Sequence, residues 1–173
     1  NFKSPDKINV HGHVMVNGEK MSKSKGTFIS AGIYTKHLEP EYLRYYYATK
    51  LNANVEDLDL NFNDFTNRIN SDLVGKIVNL ASRGAQMLNK QFLSQATVCD
   101  ADGLKLLETL KAASSTLSDY FNNREYVKAT TLIRELAEST NKYFDEKAPW
   151  KSAAVQPEET QKVLTTTINA FRI

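Results

Sequence analysis

Apolar residues fall on alternate positions early in the chain and on helical spacing later, so two kinds of element are predicted. In "INVHGHVMV", residues 8–16, Ile8, Val10, Val14 and Val16 keep the two-residue period of a strand around a central glycine. Asn17-Gly18 follows. Both residues tolerate the positive φ of a type I′ turn, so a hairpin is expected there. A short helix is predicted from Ser30. Pro40, placed where a first helical turn accepts proline, opens another over "EYLRYYYATKL". Three consecutive tyrosines, Tyr45, Tyr46 and Tyr47, point three ways on that helix and read as packing. "LDLNF" alternates Leu58, Leu60 and Phe62, a further short strand.

From Asn63, an expected N-cap, the pattern turns helical for good. Phe65, Ile69, Leu73, Ile77, Leu80, Met87 and Leu88 share one stripe about 140° wide at about 100° per residue. Residues 92–103, with Ser94, Asp100, Asp102 and Gly103, read as a connection. A second helix carries Leu104, Leu107, Leu110, Leu117 and Phe121. A third carries Tyr126, Ala129, Ile133, Leu136, Thr140 and Tyr143. Pro149 ends it, and a fourth starts near Pro157 with Val163, Leu164, Ile168 and Phe171. The predicted fold class is mainly α. A hairpin and small α/β segment over 1–62 precede an antiparallel helix bundle over 63–173.

Composition adds limits. At 173 residues and 41% hydrophobic, the chain can bury one good core or two small ones. A net charge of +2 excludes a polybasic tail but leaves room for a local basic patch. Cys99 is the only cysteine, and with three scattered histidines it offers no zinc spacing, so no metal site is expected. A single thiol suits a reducing, cytoplasmic setting. No apolar run approaches the roughly 20 residues of a membrane-spanning helix, and no signal-peptide pattern opens the chain, so no membrane partner is expected. The chain opens on the approach to a strand and stops at "NAFRI" inside a running helical pattern. A piece of a longer protein is therefore expected.

Two groups of residues could carry chemistry. "GEKMSKSKGTFIS", residues 18–30, puts Lys20, Lys23 and Lys25 around two serines just past the hairpin. Lysine loops are usually just solvated, and the lysines alone do not decide against that. A compact ammonium on a flexible stem can also follow a moving phosphate, and Gly18 and Gly26 give the segment hinges. His11 and His13 alternate along the predicted strand and read as polar hairpin surface. The second group lies on the bundle. Asn79 and Arg83, four residues apart, share one helix face at the shoulder of its apolar stripe, near Asp72 and Lys76. Such a pair is ordinarily helix surface, yet it can also offer donors and acceptors to a base edge. Trp150, the only tryptophan, follows Pro149 in a break between helices, where an aromatic either plugs a core or stacks an unpaired base.

Lys20-Met21-Ser22-Lys23-Ser24 is identical to the KMSKS signature of class I aminoacyl-tRNA synthetases. "LRYYYATKL", "DLDLNFNDF", "NLASR" and "NKYFDEKAPW" extend the similarity over nearly the whole chain, which thereby resembles the methionyl-tRNA synthetase family. Lys25 stands where the family more often has arginine, which keeps the charge. The resemblance implies that Lys20, Met21, Ser22, Lys23 and Ser24 approach ATP, with Mg²⁺ accompanying it. Lys23 would be the main ligand of the activation transition state and Lys20 its assistant. It also implies that Asn79 and Arg83 read the CAU anticodon of tRNA(Met) by hydrogen bonds, that Trp150 stacks a base, and that Pro149 fixes its approach. The family's HIGH-type motif and methionine pocket are not in these residues, since "HGH" at 11–13 is not that motif. The chain alone is expected to be inactive. Two other readings stand beside this one: a helical RNA-binding module without catalysis, and another class I synthetase of the leucine, isoleucine or valine type.

Overall fold

The computed structural model describes residues 2–173. Its N-terminal part is a three-stranded sheet of order β2-β1-β3, formed by β1 (Val14–Val16), β2 (Glu19–Lys20) and β3 (Leu58–Leu60). β1 and β2 pair antiparallel through Val16 and Glu19, and Asn17 (φ 49°) with Gly18 (φ 79°) makes the expected hairpin turn. β1 and β3 run parallel, with Val14 opposite Leu58 and Val16 opposite Leu60. A parallel pair needs a crossover, and α1 (Ala31–Tyr34) and α2 (Pro40–Ala48) supply it. Ser30 caps α1 by accepting from the Ile33 N–H, and Pro40 occupies the first turn of α2. Tyr46 is fully buried and its hydroxyl donates to the Asp59 carbonyl at 3.0 Å, so the tyrosine run is packing, as expected.

Three strand-side expectations need correction. Residues 8–13 are not strand, and Ile8 and Val10 are 76% and 66% exposed. β3 offers only three residues to the ladder; upstream of Val14, Gly12 and His13 still bond to Glu56 and Leu58, but Ile8 to His11 make no such backbone contact among the described residues. Phe62 is not strand either but the first residue of α3 (Phe62–Arg68). The N-cap is Asn61 rather than Asn63, since Asn61 is extended (φ −86°, ψ 119°) and its side chain accepts from the Asp64 N–H at 3.0 Å.

The helical part is one long interrupted helix followed by three long helices and one short one. α3 runs into a π-helical segment, Ile69–Val78, and then into α4 (Asn79–Phe92). The Asn79 N–H bonds five residues back to the Val74 carbonyl, the wider turn of a π-helix. Val74 and Val78, which lie off the predicted stripe, face solvent, while Ile69, Leu80 and Leu88 stay buried. α5 (Ala101–Asn122), α6 (Tyr126–Lys147), a short α7 (Pro149–Ser152) and α8 (Pro157–Arg172) complete the fold. The bundle is thus built from the four long helices predicted. The connection before α5 is shorter than 92–103, because Asp100 already caps the helix by accepting from the Gly103 N–H at 2.7 Å. Leu104, Phe121 and Phe171, assigned to apolar faces, remain substantially exposed.

The core centres on Leu80, Leu88, Phe144 and Leu164, with Met87, Phe92 and Ile168 against it. α8 buries Thr160, Thr165, Thr166 and Thr167, which the hydrophobic pattern could not assign to a core. Their hydroxyls are all satisfied. Thr166 and Thr167 donate to the carbonyls of Lys162 and Val163, Thr165 accepts from the Thr97 N–H, and Thr160 meets Ser152 at 2.8 Å. Among the described residues no helix is long and apolar enough to cross a membrane.

Candidate functional site

The lysine loop hangs from the hairpin, and the hairpin is tied to β3. The Gly18 N–H donates to Asp59 Oδ1 at 2.9 Å, and Asn17 Oδ1 accepts from the Phe62 N–H at 3.1 Å. Thr27 closes the loop: its hydroxyl accepts from the Ser22 N–H and donates to the Lys20 carbonyl, each at 3.0 Å, and its own N–H reaches the Ser22 carbonyl at 3.1 Å. Between these anchors Ser22 and Ser24 share a hydroxyl contact of 3.0 Å, and Gly26 (φ 73°) takes the left-handed turn that an L-residue resists. Lys20, Lys23 and Lys25 are exposed, and among the described residues none pairs with a carboxylate. The Lys23 ammonium lies 5.2 Å from the centre of the Phe28 ring. The loop is thus a shaped turn with three uncompensated cations. Such a turn can meet a polyphosphate.

On the bundle, three of the four expected residues meet. The left-handed Ala148 (φ 41°) ends α6, and buried Pro149 starts α7, which turns Trp150 back over the helix it follows. The Arg83 guanidinium lies 4.7 Å from the Phe144 ring centre and 5.2 Å from that of Trp150, and the two rings are 5.8 Å apart. Asp145 accepts from Arg83 Nη2 at 3.1 Å. Trp150 nevertheless remains 46% exposed. Asn79 stands exposed one turn before Arg83 and does not join this stack. Arginine and indole together offer a planar cation beside a half-exposed aromatic ring, the two groups that hold an unstacked base.

Sequence reasoning did not single out Phe144 and Asp145, nor the line of polar pairs that leads away from them. Arg134, Glu138, Asn141 and Asp145 form one stripe of α6, at spacings of four, three and four. Facing them across the groove, Lys76 Nζ meets Glu138 at 2.8 Å, and Asn141 Nδ2 donates to the Lys76 carbonyl at 3.0 Å. Lys76 holds the Glu138 carboxyl below its ordinary range. Asp72, expected near Asn79 and Arg83, is instead buried at the far end of the line, where Tyr45 donates to it at 3.1 Å and Arg134 stands 3.8 Å away. Burial, and then Asp72 beside it, push the Tyr45 hydroxyl up to about 12, so it stays a proton donor. The polar stripe on α6 was visible in the spacing; its partners were not.

Two family models match the chain. "tRNA synthetases class I (M)" matches residues 1–85, and "Anticodon binding domain of methionyl tRNA ligase" matches residues 94–173. A methionine–tRNA ligase of Bdellovibrio bacteriovorus is 57% identical over 172 residues, covering 99% of this chain and 25% of the relative. The chain therefore spans about a quarter of the length of that curated relative. A Mycobacterium tuberculosis methionyl-tRNA synthetase in complex with methionyl-adenylate superposes with a TM-score of 0.77 at 25% identity, over 93% of this chain and 32% of the other. The apo form of the synthetase from the same organism gives 0.74 at 20% identity, over 93% and 31%.

Proposed function

The chain belongs to the methionyl-tRNA synthetase family, and from that premise we propose that it is the KMSKS and anticodon-binding part of an ATP-dependent methionine–tRNA ligase. Lys23, assisted by Lys20, stabilises the charge that builds on the triphosphate as the methionine carboxylate attacks the α-phosphate and pyrophosphate leaves. Met21, Ser22 and Ser24 bring the loop backbone to the nucleotide, and Mg²⁺ arrives with the ATP phosphates. Arg83, Asn79 and Trp150 read the CAU anticodon of tRNA(Met), with Pro149 setting the indole in place. The ligase is cytoplasmic, and methionine binds in a domain outside these residues. One observation supports the reading: a turn of lysines without carboxylate partners among the described residues lies where the class I synthetase model matches, and half-exposed Trp150, where the anticodon-binding model matches, packs with Arg83 of the preceding unit.

The overall test is charging. The full-length ligase should load methionine onto tRNA bearing CAU and lose most of that activity when the first anticodon base is changed. Equal charging of both would remove the anticodon role. The 173-residue chain alone should form no adenylate above background.

The division at residue 62 or 63 is part of the same proposal. Each long helix after that point packs its apolar stripe on another, so residues 63–173 should fold without the sheet. Circular dichroism of that piece should show high helicity and a cooperative melt. A gradual, mostly disordered profile would move the boundary.

A further inference from the structure

At the end of the polar line opposite Trp150, a cavity of about 230 Å³ opens between α2, α3 and α6, lined by Tyr45, Thr49, Arg68, Thr130, Thr131 and Arg134 among others. Its charges are not balanced. Lys50 and Arg68 share Asp64 at 2.8 and 3.0 Å, which leaves the terminal nitrogens of Arg68 without a hydrogen-bond partner among the described residues. Among the described residues Arg134 pairs only with Asp72, at 3.8 Å, which is too long for a hydrogen bond. Asp72 does not need Arg134 closer, because the Tyr45 and Ser71 hydroxyls already donate to its two oxygens at 3.1 and 3.2 Å. Three cations thus face two carboxylates, and both guanidiniums keep donors to spare.

We propose that this cavity is a phosphate-binding site that takes one phosphodiester of an RNA backbone between Arg68 and Arg134. The inference rests on the tRNA-binding reading and adds a contact to it. Guanidinium forks suit phosphate oxygens, and each of the two is about two-thirds withdrawn from solvent, so salt screens them less than exposed lysines. Tyr45 keeps its proton on Asp72, so the carboxylate is capped toward the cavity's tyrosine side. Position supports the assignment as well. Arg134 lies eleven residues before Asp145 on α6, roughly 16 Å along the axis at about 1.5 Å per residue. The groove between carries Asn141 and three carboxylates, Glu138, Asp145 and Glu146, which are paired with Lys76, Arg83 and Lys142 at 2.8, 3.1 and 3.8 Å. A strand whose base stacks on Trp150 can therefore lie along α6 and reach the cavity with its backbone. Such a contact positions the RNA and carries no base information.

Salt-dependent binding tests it, with the full-length ligase and two tRNA transcripts, one bearing CAU and one with a changed first anticodon base. Arg134→Gln should weaken both transcripts by the same factor. It should lower the slope of log affinity against log salt by about 0.7–0.9, the worth of one neutralised phosphate. Arg134→Lys should restore most of that slope. Arg68→Gln, which leaves Lys50 on Asp64, should lower it again, and this variant decides the matter if Arg134→Gln fails to melt cooperatively. Lys111→Gln, on the exposed side of α5, should leave the slope alone. A wild type that prefers CAU, with unchanged slopes in folded Arg134→Gln and Arg68→Gln, overturns the phosphate site while the anticodon reading stands. A wild type that binds neither transcript overturns both.

Discussion

Lys23→Ala in the full-length ligase is expected to slow methionyl-adenylate formation by about 10²–10³, the scale of losing one preorganised donor to developing charge, while methionine affinity barely changes. The structure supplies the reason for the asymmetry. Among the described residues Lys23 has no carboxylate partner, so its charge is not spent in the resting loop. Its ammonium lies over the face of Phe28, and a cation–π contact at an exposed site amounts to about 0.5–1 kcal/mol. A transition-state donor contributes about 2.7–4 kcal/mol. The pull of the triphosphate is therefore the stronger, and the ring can hold the ammonium in the empty loop without holding it back from ATP. The Thr27 hydroxyl keeps the two ends of the turn together, so the cations travel on one closed loop rather than on a loose chain. Pyrophosphate exchange at saturating methionine reads the effect. A loss of less than tenfold would return Lys23 to an ordinary solvated lysine.

The hairpin, the lysine turn and the four long helices were legible because each rests on local rules. Asn17-Gly18 is a backbone preference, Ser30 and Pro40 are end signals, and a stripe such as Ile69, Leu80 and Leu88 is a period. What stayed illegible depends on partners distant in sequence. "INVHGHVMV" alternates like a strand throughout, but only Val14–Val16 is strand paired with β3. The π-helical segment leaves the amphipathic pattern readable, and composition carries no mark of it. "TTTIN" reads as polar, yet back-bonding to carbonyls four residues earlier lets Thr166 and Thr167 enter the core. The candidate site divides in the same way. Lys20 to Ser24 is one contiguous motif. Arg83 and Trp150 come together only because Ala148 adopts a left-handed turn and Phe144 lies beneath both. Spacing could raise Asn79 as Arg83's companion on one helix face, but it could not supply Asp145, which lies 62 residues from Arg83 and pairs with it.

Trp150→Ala is expected to reduce tRNA affinity or charging efficiency by about 5- to 150-fold, which corresponds to roughly 1–3 kcal/mol for one base–aromatic stack. The indole is already contacted by Arg83 at 5.2 Å and Phe144 at 5.8 Å, and its remaining exposure of 46% is what a base would cover. Packing and stacking must therefore be separated. Loss of the packed face alone lowers the melting midpoint and weakens every tRNA alike, whereas loss of the stack weakens CAU most. Trp150→Phe keeps a π-face and should recover part of the loss. Arg83→Gln removes the cation beside the indole and should relax discrimination among anticodons as well as weaken binding, provided that the guanidinium leaves Asp145 for a base edge. The decisive comparison is charging of tRNA bearing CAU against tRNA with a changed first anticodon base, by wild type and by Trp150→Ala. If wild type discriminates and the alanine variant keeps the full preference, Trp150 is a packing residue on Phe144 and the anticodon is read elsewhere. If the preference collapses while the melt is unchanged, the exposed face of the indole is the surface on which the base stacks.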